Sequence, residues 1–501
     1  MPISPPNKLP QRVVAPSIAR REWIVAIMGA STLVFTAWCF TGFQVWAAHT
    51  LLAGGLLTFA CSILPMPASY NGLDGEHGNR KNYKRLLCLP AFWLSLFFLL
   101  YLALQAMNPE GAIFEEEGAL YLRKMVPILG TSWPTSLNAP YERINALRVI
   151  IVFLAGFSLF WGLWIGLRRR KTVILVLWVF MLSGAAMAFT AILMSLTETN
   201  ALLWTVPPTN PNFWGTFSYR NHGAAYLNLI LVAIGFLFFY HLQKTKNRGH
   251  VGGPHLLLFC LFALVASSVA MALSRGGILF GACISVAFFC FAAVYGLRSV
   301  FHQRSIWLSL LPALLLATGA FTAFQQINLD AISKRFGDVE ATIENADEDY
   351  RMLLSLATWD MAQDRKVYGW GAGSFRYYFH RYQKEYPSIY YLTNHPKKGW
   401  SGRQFYKYAH NDILQFLAEY GIVGCSFLLL TLASLLWAML RGIGTNVFSV
   451  LMLLVGLVAT FSHAFLDFIL NAPAYLIAFM GFYAAAAKLV RLESKRRNPQ
   501  V

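Results

Sequence analysis

The chain has 501 residues, 57% of them hydrophobic, with a mean hydropathy of +0.49 and a formal net charge of +18. Apolar residues gathered into runs near the ~20 needed to cross a hydrocarbon core exclude an ordinary soluble domain. They predict an all-α polytopic membrane protein embedded in the lipid bilayer, and the charge indicates no nucleic acid, because it collects at one side of the predicted weave.

Residues 1–22 form a basic leader. No small-residue cleavage site follows the first apolar run, which therefore reads as a retained anchor. About twelve spans are predicted, at 23–41, 44–64, 86–106, 147–167, 172–194, 223–242, 254–274, 277–297, 305–324, 421–440, 447–466 and 473–490. With the N-terminus in the cytoplasm, the short inside segments hold Arg80, Lys81, Lys84 and Arg85, then Arg168, Arg169, Arg170 and Lys171. The tail 491–501 adds Lys495, Arg496 and Arg497, while the short outside loops hold Arg123, Lys124, Arg143, Arg148, Arg220 and Arg275. This is the positive-inside pattern, and it puts both termini in the cytoplasm. The seven cysteines all fall in predicted spans, so no disulfide framework supports the loops. No metal-ligand spacing is present, and no metal or cofactor is expected.

The predicted units are helices one to nine over 23–324, an outside subdomain over 325–420 that is mainly helical, and helices ten to twelve over 421–490. Residues 107–146 form an acidic outside segment with a short amphipathic helix expected near 119–126. Residues 195–221 form a loop rich in Pro and Asn. In the large loop, DYRMLLSLATWDMAQD (349–364) has apolar residues at helical spacing, and VYGWGAGSFRYYFHRYQKEYPSIYY interleaves aromatic rings with Arg376 and Arg381. Rings with cations between them suit the faces and hydroxyl edges of sugars, and they equally suit the membrane–water boundary.

Three outside clusters set ionisable groups at span ends, where such groups are costly and tend to be functional. GTFSYRNHGAAYL places Arg220, Asn221 and His222 at the entry to span six. In MALSRGGILFG, Ser274 is positioned to cap span eight and Arg275 stands at its positive end, a poor place for a cation unless an anion binds. KYAHNDILQFLAEYGIVG (407–424) puts His410 ahead of a helix in which Asn411, Gln415 and Glu419 share one stripe. Asp412 and Gln415 have the spacing of a capping box. His410 has no capping explanation, and a neutral imidazole is a natural proton acceptor. His463 and Asp467, spaced i, i+4, form a supporting pair near the outer end of span eleven.

These motifs carry a resemblance. The HN-x-hydrophobic-x-Q-x-x-x-E-x-G-x-x-G pattern of 410–424 resembles the signature of the bacterial O-antigen ligase and polymerase superfamily. GTFSYRNHGAAYL resembles its second motif, with Tyr219 in place of the first Asn of Asn-Arg-Asn-His. LSRGG resembles the third, and DYRMLLSLATWDMAQDRKVYGWGAGSF resembles the start of the family's large outside loop. The resemblance covers roughly 210–425. It implies an inverting, metal-independent glycosyltransferase of the GT-C type in the bacterial inner membrane, with its active site on the periplasmic face. The donor it implies is a glycan on undecaprenyl diphosphate, and the acceptor hydroxyl belongs to lipid A-core, a second glycan or a protein. His410 is then the base and Arg220 and Arg275 neutralise the diphosphate, while Asn411, Asn221, His222, Arg351, Arg376 and Gln415 contact substrate. Polymerase and protein O-oligosaccharyltransferase are alternatives within the family.

Two readings come from other classes. GLDGEHGNRK (72–81) resembles the inside loop of twelve-helix major-facilitator transporters, but the charged residues gather at the outer face and not at a midplane site. A non-catalytic scaffold fits the topology and leaves Arg220, Arg275 and His410 unexplained.

Overall fold

The computed structural model describes residues 18–117, 119–246, 253–300, 350–395 and 399–497. Helices form wherever the described residues include a predicted span: α1 (Arg20–Trp38), α2 (Val45–Ile63), α4 (Pro90–Met107), α5 (Ala146–Gly166), α6 (Arg170–Leu196), α7 (Arg220–Lys246), α8 (Pro254–Met271), α9 (Arg275–Val300), α13 (Asp412–Leu440), α14 (Val447–Leu466) and α15 (Pro473–Arg497). All but α1 are long and apolar enough to cross a membrane. The chain is an all-α polytopic membrane protein. The predicted ninth span, 305–324, lies outside the described residues.

Local sequence sets the helix starts. Proline occupies the first turn of α4 and α8, where its missing N–H costs nothing. Asn145 and Asn446 cap α5 and α14 by accepting from Arg148 and Ser449 amides at 2.9 and 3.2 Å. Apolar on all sides, α7 is buried throughout its hydrophobic stretch and forms the centre of the bundle. Against it pack α6, α8, α9 and α14, with α15 lying between α5 and α6. In α1, the buried Glu22 accepts from the backbone amides of Arg168 and Arg169, at 2.8 and 2.6 Å, which ties this helix to the start of α6.

A second core covers the end of the bundle where α7, α9, α13 and α15 begin. Helices α10 (Tyr350–Asp364), α11 (Phe375–Gln383) and α12 (Pro387–Tyr390) supply most of it, and a short antiparallel ribbon of β4 (Thr393–His395) and β5 (Gly399–Ser401) follows α12 in the chain. Ile113 and Leu137 join the same core from the segment between α4 and α5. That segment corrects the expectation of a helix near 119–126: β1 (Pro109–Glu116) pairs antiparallel with β2 (Ala119–Lys124) and parallel with β3 (Ser136–Asn138). The hairpin wins because Ile113 faces Leu122 and Phe114 faces Tyr121 across it, the last two rings stacked at 5.5 Å. Glu110 joins sheet to helices, accepting from Tyr378 at 2.8 Å and pairing with Arg365 at 2.8 Å.

The two cores interlock through glycines. Gly421 (φ 62°) breaks α13 just where the notional tenth span begins. The freed backbone pairs with the 366–371 turn: Trp370 and Gly371 amides donate to the Ala418 and Glu419 carbonyls at 2.8 and 2.9 Å, and the Ile422 amide donates to Lys366 at 2.8 Å. The Tyr101 hydroxyl lies 2.6 and 2.9 Å from the Tyr368 and Tyr420 carbonyls, closing the junction from α4.

Candidate active site

The site grows around Asp467, the residue that follows α14. Its carboxylate is 2% exposed and is met from four directions. His410 Nδ1 lies 3.2 Å from Oδ1, and Arg351 lies 3.8 Å from Oδ2. The Asn221 side-chain amide also donates to Oδ2, and the Phe468 amide donates to Oδ1 at 2.9 Å. Three separated motifs therefore share one carboxylate. Burial alone would raise its pKa. The hydrogen bond and charge of His410, followed by the charge of Arg351, outweigh burial and hold Asp467 below the usual carboxylate range. Such a group adds stability above its unfolded value near 3.9, and that contribution disappears as pH falls toward the lowered native value. Thermal melts of Asp467→Asn should lack that part of the acid-side dependence, a difference readable by comparing both proteins between about pH 5 and 3.

His410 has φ 53°, the left-handed region in which a non-glycine residue is held only by its surroundings. The conformation turns the imidazole back toward Asp467. An ionised carboxylate on Nδ1–H fixes the tautomer and leaves Nε2 as acceptor. Nε2 has no hydrogen-bond partner among the described residues, and the side chain is 19% exposed. An oriented imidazole with its second nitrogen available is the geometry of a general base.

Phe468 carries the rings. Tyr408 stacks on it at 4.6 Å and Tyr219 at 5.6 Å, while His410 and His222 each meet it edge-on at 4.7 Å. Tyr219, standing where the family motif has Asn, accepts from Asn221 at 2.9 Å and so helps aim that amide at Asp467. Arg376 lies over Tyr408, 5.3 Å from its centroid. Phe468→Leu keeps most of the volume and loses the edge contacts, each worth about 0.5–1.5 kcal/mol. We expect this loss to appear as a lower melting temperature for Phe468→Leu than for the wild type, with the amount of inserted protein unchanged; thermal melts on matched membranes check it.

The remaining predicted residues divide. Arg220 opens α7, its amide donating to Asn212 at 2.7 Å, and its charge reaches the Tyr219 phenol. Arg275 opens α9 after Ser274, whose hydroxyl accepts from the Gly277 amide at 3.2 Å, the expected cap. The next residue, Gly276, lies so close to His463 that a Cβ there would stand 2.8 Å from its Nε2. LSRGG is thus packed against α14, the helix that leads into Asp467. Three of the residues expected to contact substrate are buried. His222 is fully buried beneath Phe468, with neither ring nitrogen in a hydrogen bond of normal geometry. Asn411, also fully buried, caps α13 by accepting from the Leu414 amide at 3.1 Å. Gln415 accepts from the Ala409 amide at 3.0 Å and holds the chain ahead of His410. The expected Asp412–Gln415 capping box does not form: Asn411 caps alone, and Asp412 instead accepts from the Leu470 amide and the Asn471 side chain, joining α13 to the Asp467 loop.

Residues 260–429 match the family model described as O-antigen ligase. The resemblance to the O-antigen ligase and polymerase superfamily holds over that segment, which includes Arg275, Arg351, Arg376 and His410. No curated protein matches the chain.

Proposed function

With an O-antigen ligase domain over residues 260–429 as the premise, we propose that this membrane protein is an inverting, metal-independent glycosyltransferase. It moves a glycan from undecaprenyl diphosphate to an acceptor hydroxyl at the periplasmic face of the bacterial inner membrane, in the manner of an O-antigen ligase. The single observation behind this reading is the His410–Asp467 contact, which leaves Nε2 as acceptor.

The steps balance as follows. The acceptor oxygen attacks the anomeric carbon from the face opposite the diphosphate, and His410 Nε2 takes its proton. The bond from the anomeric carbon to the phosphate oxygen breaks, and the lipid diphosphate leaves with the electron pair. Arg220 and Arg275 meet that growing charge, since a guanidinium matches phosphate oxygens in pairs and stays protonated. Asp467 stabilises the imidazolium that forms, and Arg351 holds Asp467 from its other oxygen. The rings around Tyr408 and Arg376 contact sugar faces. Asn411, Gln415, His222 and His463 act through packing and capping, as positioning residues.

Arg220→Lys and Arg275→Lys should each keep the charge and lose the paired geometry. A loss of about 10–100-fold in kcat/KM for the lipid-linked donor is expected, with the larger share in kcat. Initial rates over a donor titration read it. The reaction itself is tested by reconstituting the protein in vesicles with an undecaprenyl-diphosphate-linked glycan and three acceptors: lipid A-core, a second lipid-linked glycan and an acceptor protein. New covalent product on lipid A-core is the expected result. Product on either other acceptor alone would reassign the chain to polymerase or protein transferase, and glycan crossing the vesicle without a new bond would sink the enzyme reading in favour of a carrier.

A further inference from the structure

The opposite end of the bundle holds a second polar cavity, of about 710 Å³, that the glycosyl-transfer reading does not use. It opens where α5, α13 and α15 end and where α3 (His77–Leu87) meets α4. Arg85, Arg441, Lys488 and Arg491 face it. Three acids at this end have other partners, of which Lys81 and Arg168 also line the cavity. Asp74 pairs with Lys81 and Arg168, Glu493 pairs with Arg170 and Lys244, and Glu22 holds the start of α6. Among the described residues none of the four cations has a carboxylate within ion-pair distance.

Their arrangement is built, not incidental. Lys488 is 9% exposed and donates to the Trp164 carbonyl. Lys488 and Arg491 both lie 5.5 Å from the Trp164 ring, and Arg441 lies 4.8 Å from that of Trp437. Rings can steady cations by their quadrupoles, but they do not cancel charge. Several cations sharing one concave space repel each other unless an anion joins them.

The walls say what carries the anion. Phe160 and Leu435 line this cavity and also a second one, an apolar groove of about 190 Å³ that runs between α5, α13, α14 and α15 toward the active-site end. Phe157, Leu428, Leu432 and Phe479 continue it. A phosphate ion would fill the basic part and leave the groove empty. A phosphate with hydrocarbon attached fills both, and basic pockets between spanning helices commonly receive such headgroups.

We infer that this cavity is a binding site for an anionic phospholipid, with its phosphate among Arg85, Arg441, Lys488 and Arg491 and an acyl chain along the Phe160–Leu435 groove. The lipid belongs to the membrane surface opposite the active site and takes no part in the chemistry there. Its site is set by α3, α5, α13 and α15, so it joins the ends of helices that are far apart in sequence.

Native mass spectrometry of the full-length protein, presented with dioleoylphosphatidylglycerol or dioleoylphosphatidylcholine, tests this. The wild type should retain phosphatidylglycerol over phosphatidylcholine by roughly tenfold or more, and the Arg85→Ala/Arg441→Ala/Arg491→Ala variant should retain both alike. Leu435→Trp leaves every cation in place and blocks the groove, so it should also weaken retention; it decides the matter if the triple variant does not fold. Inorganic diphosphate is the remaining probe and should not displace the lipid at equal concentration. Retention unchanged in both variants, or displacement by diphosphate with no effect of Leu435→Trp, would overturn the proposal.

Discussion

His410→Ala is expected to lower glycan transfer by about 10²–10⁴-fold, the usual contribution of a positioned base, while the protein stays inserted and as abundant as the wild type. Asp467→Asn should be nearly as damaging although it leaves the imidazole in place. An asparagine at 467 removes the negative charge that fixes the Nδ1–H tautomer and stabilises the imidazolium. It also presents an NH₂ group where Asn221 and Arg351 both donate. Where a carboxylate orients a catalytic histidine in this way, its amide replacement costs on the order of 10⁴ in kcat. The pair separates chemistry from folding: both variants should bind lipid-linked donor with KM within a few-fold of wild type, because the arginines assigned to the diphosphate are untouched. Full activity in Asp467→Asn, measured with the same reconstituted vesicles, would remove the imidazole–carboxylate pair from the mechanism.

The second large effect concerns folding. Gly421→Ala and Gly369→Ala each place a methyl group against backbone: at 421 it meets the Val367 carbonyl, and at 369 the Glu419 carbonyl. Both positions also have positive φ, 62° and 70°. The left-handed conformation alone costs an alanine roughly 1–2 kcal/mol, and the collision cannot be relieved by turning a flexible side chain. Relief requires parting the strands that carry the Trp370–Ala418 and Ile422–Lys366 hydrogen bonds. The summed loss approaches the ~5–15 kcal/mol that holds a typical protein folded. Fluorescence-detected size exclusion should show little monodisperse protein for either variant, whereas Gly130→Ala, at a positive-φ position with open space around it, should lose only the conformational part.

Much of this architecture was legible in the residues themselves. Spans reveal themselves because hydrocarbon forces every backbone group into a helix, so length and apolarity suffice. The 119–126 segment misled for the converse reason. Leu120, Tyr121 and Leu122 fit either period over so short a run, and Phe114 on the partner strand decided between them. His410 stood out because capping could not account for it. The role of Asp467 is less legible, since a carboxylate near a helix end has many ordinary uses and its partners at 221, 351 and 410 are brought to it only by the fold. Phe468 left no signal beyond its place beside Asp467, because one aromatic residue at a membrane boundary is commonplace. Asn411 and Gln415 share a stripe with Glu419, and the resemblance implies substrate contact for both, but a stripe does not say which way it faces. The second core, packed on that side of α13, turned it inward.

The glycine interlock carries a lesson for anyone wishing to exchange segments between related proteins. The second core is not a detachable module seated on a generic membrane base, since the turn at 366–371 and the break at 418–423 are two halves of one joint. A chimera cut at 410, between those halves, inherits mismatched mating surfaces and should fail to mature. Grafts that carry both halves from the same parent keep the joint whole, which makes a donor segment reaching past residue 423 the smallest practical cassette.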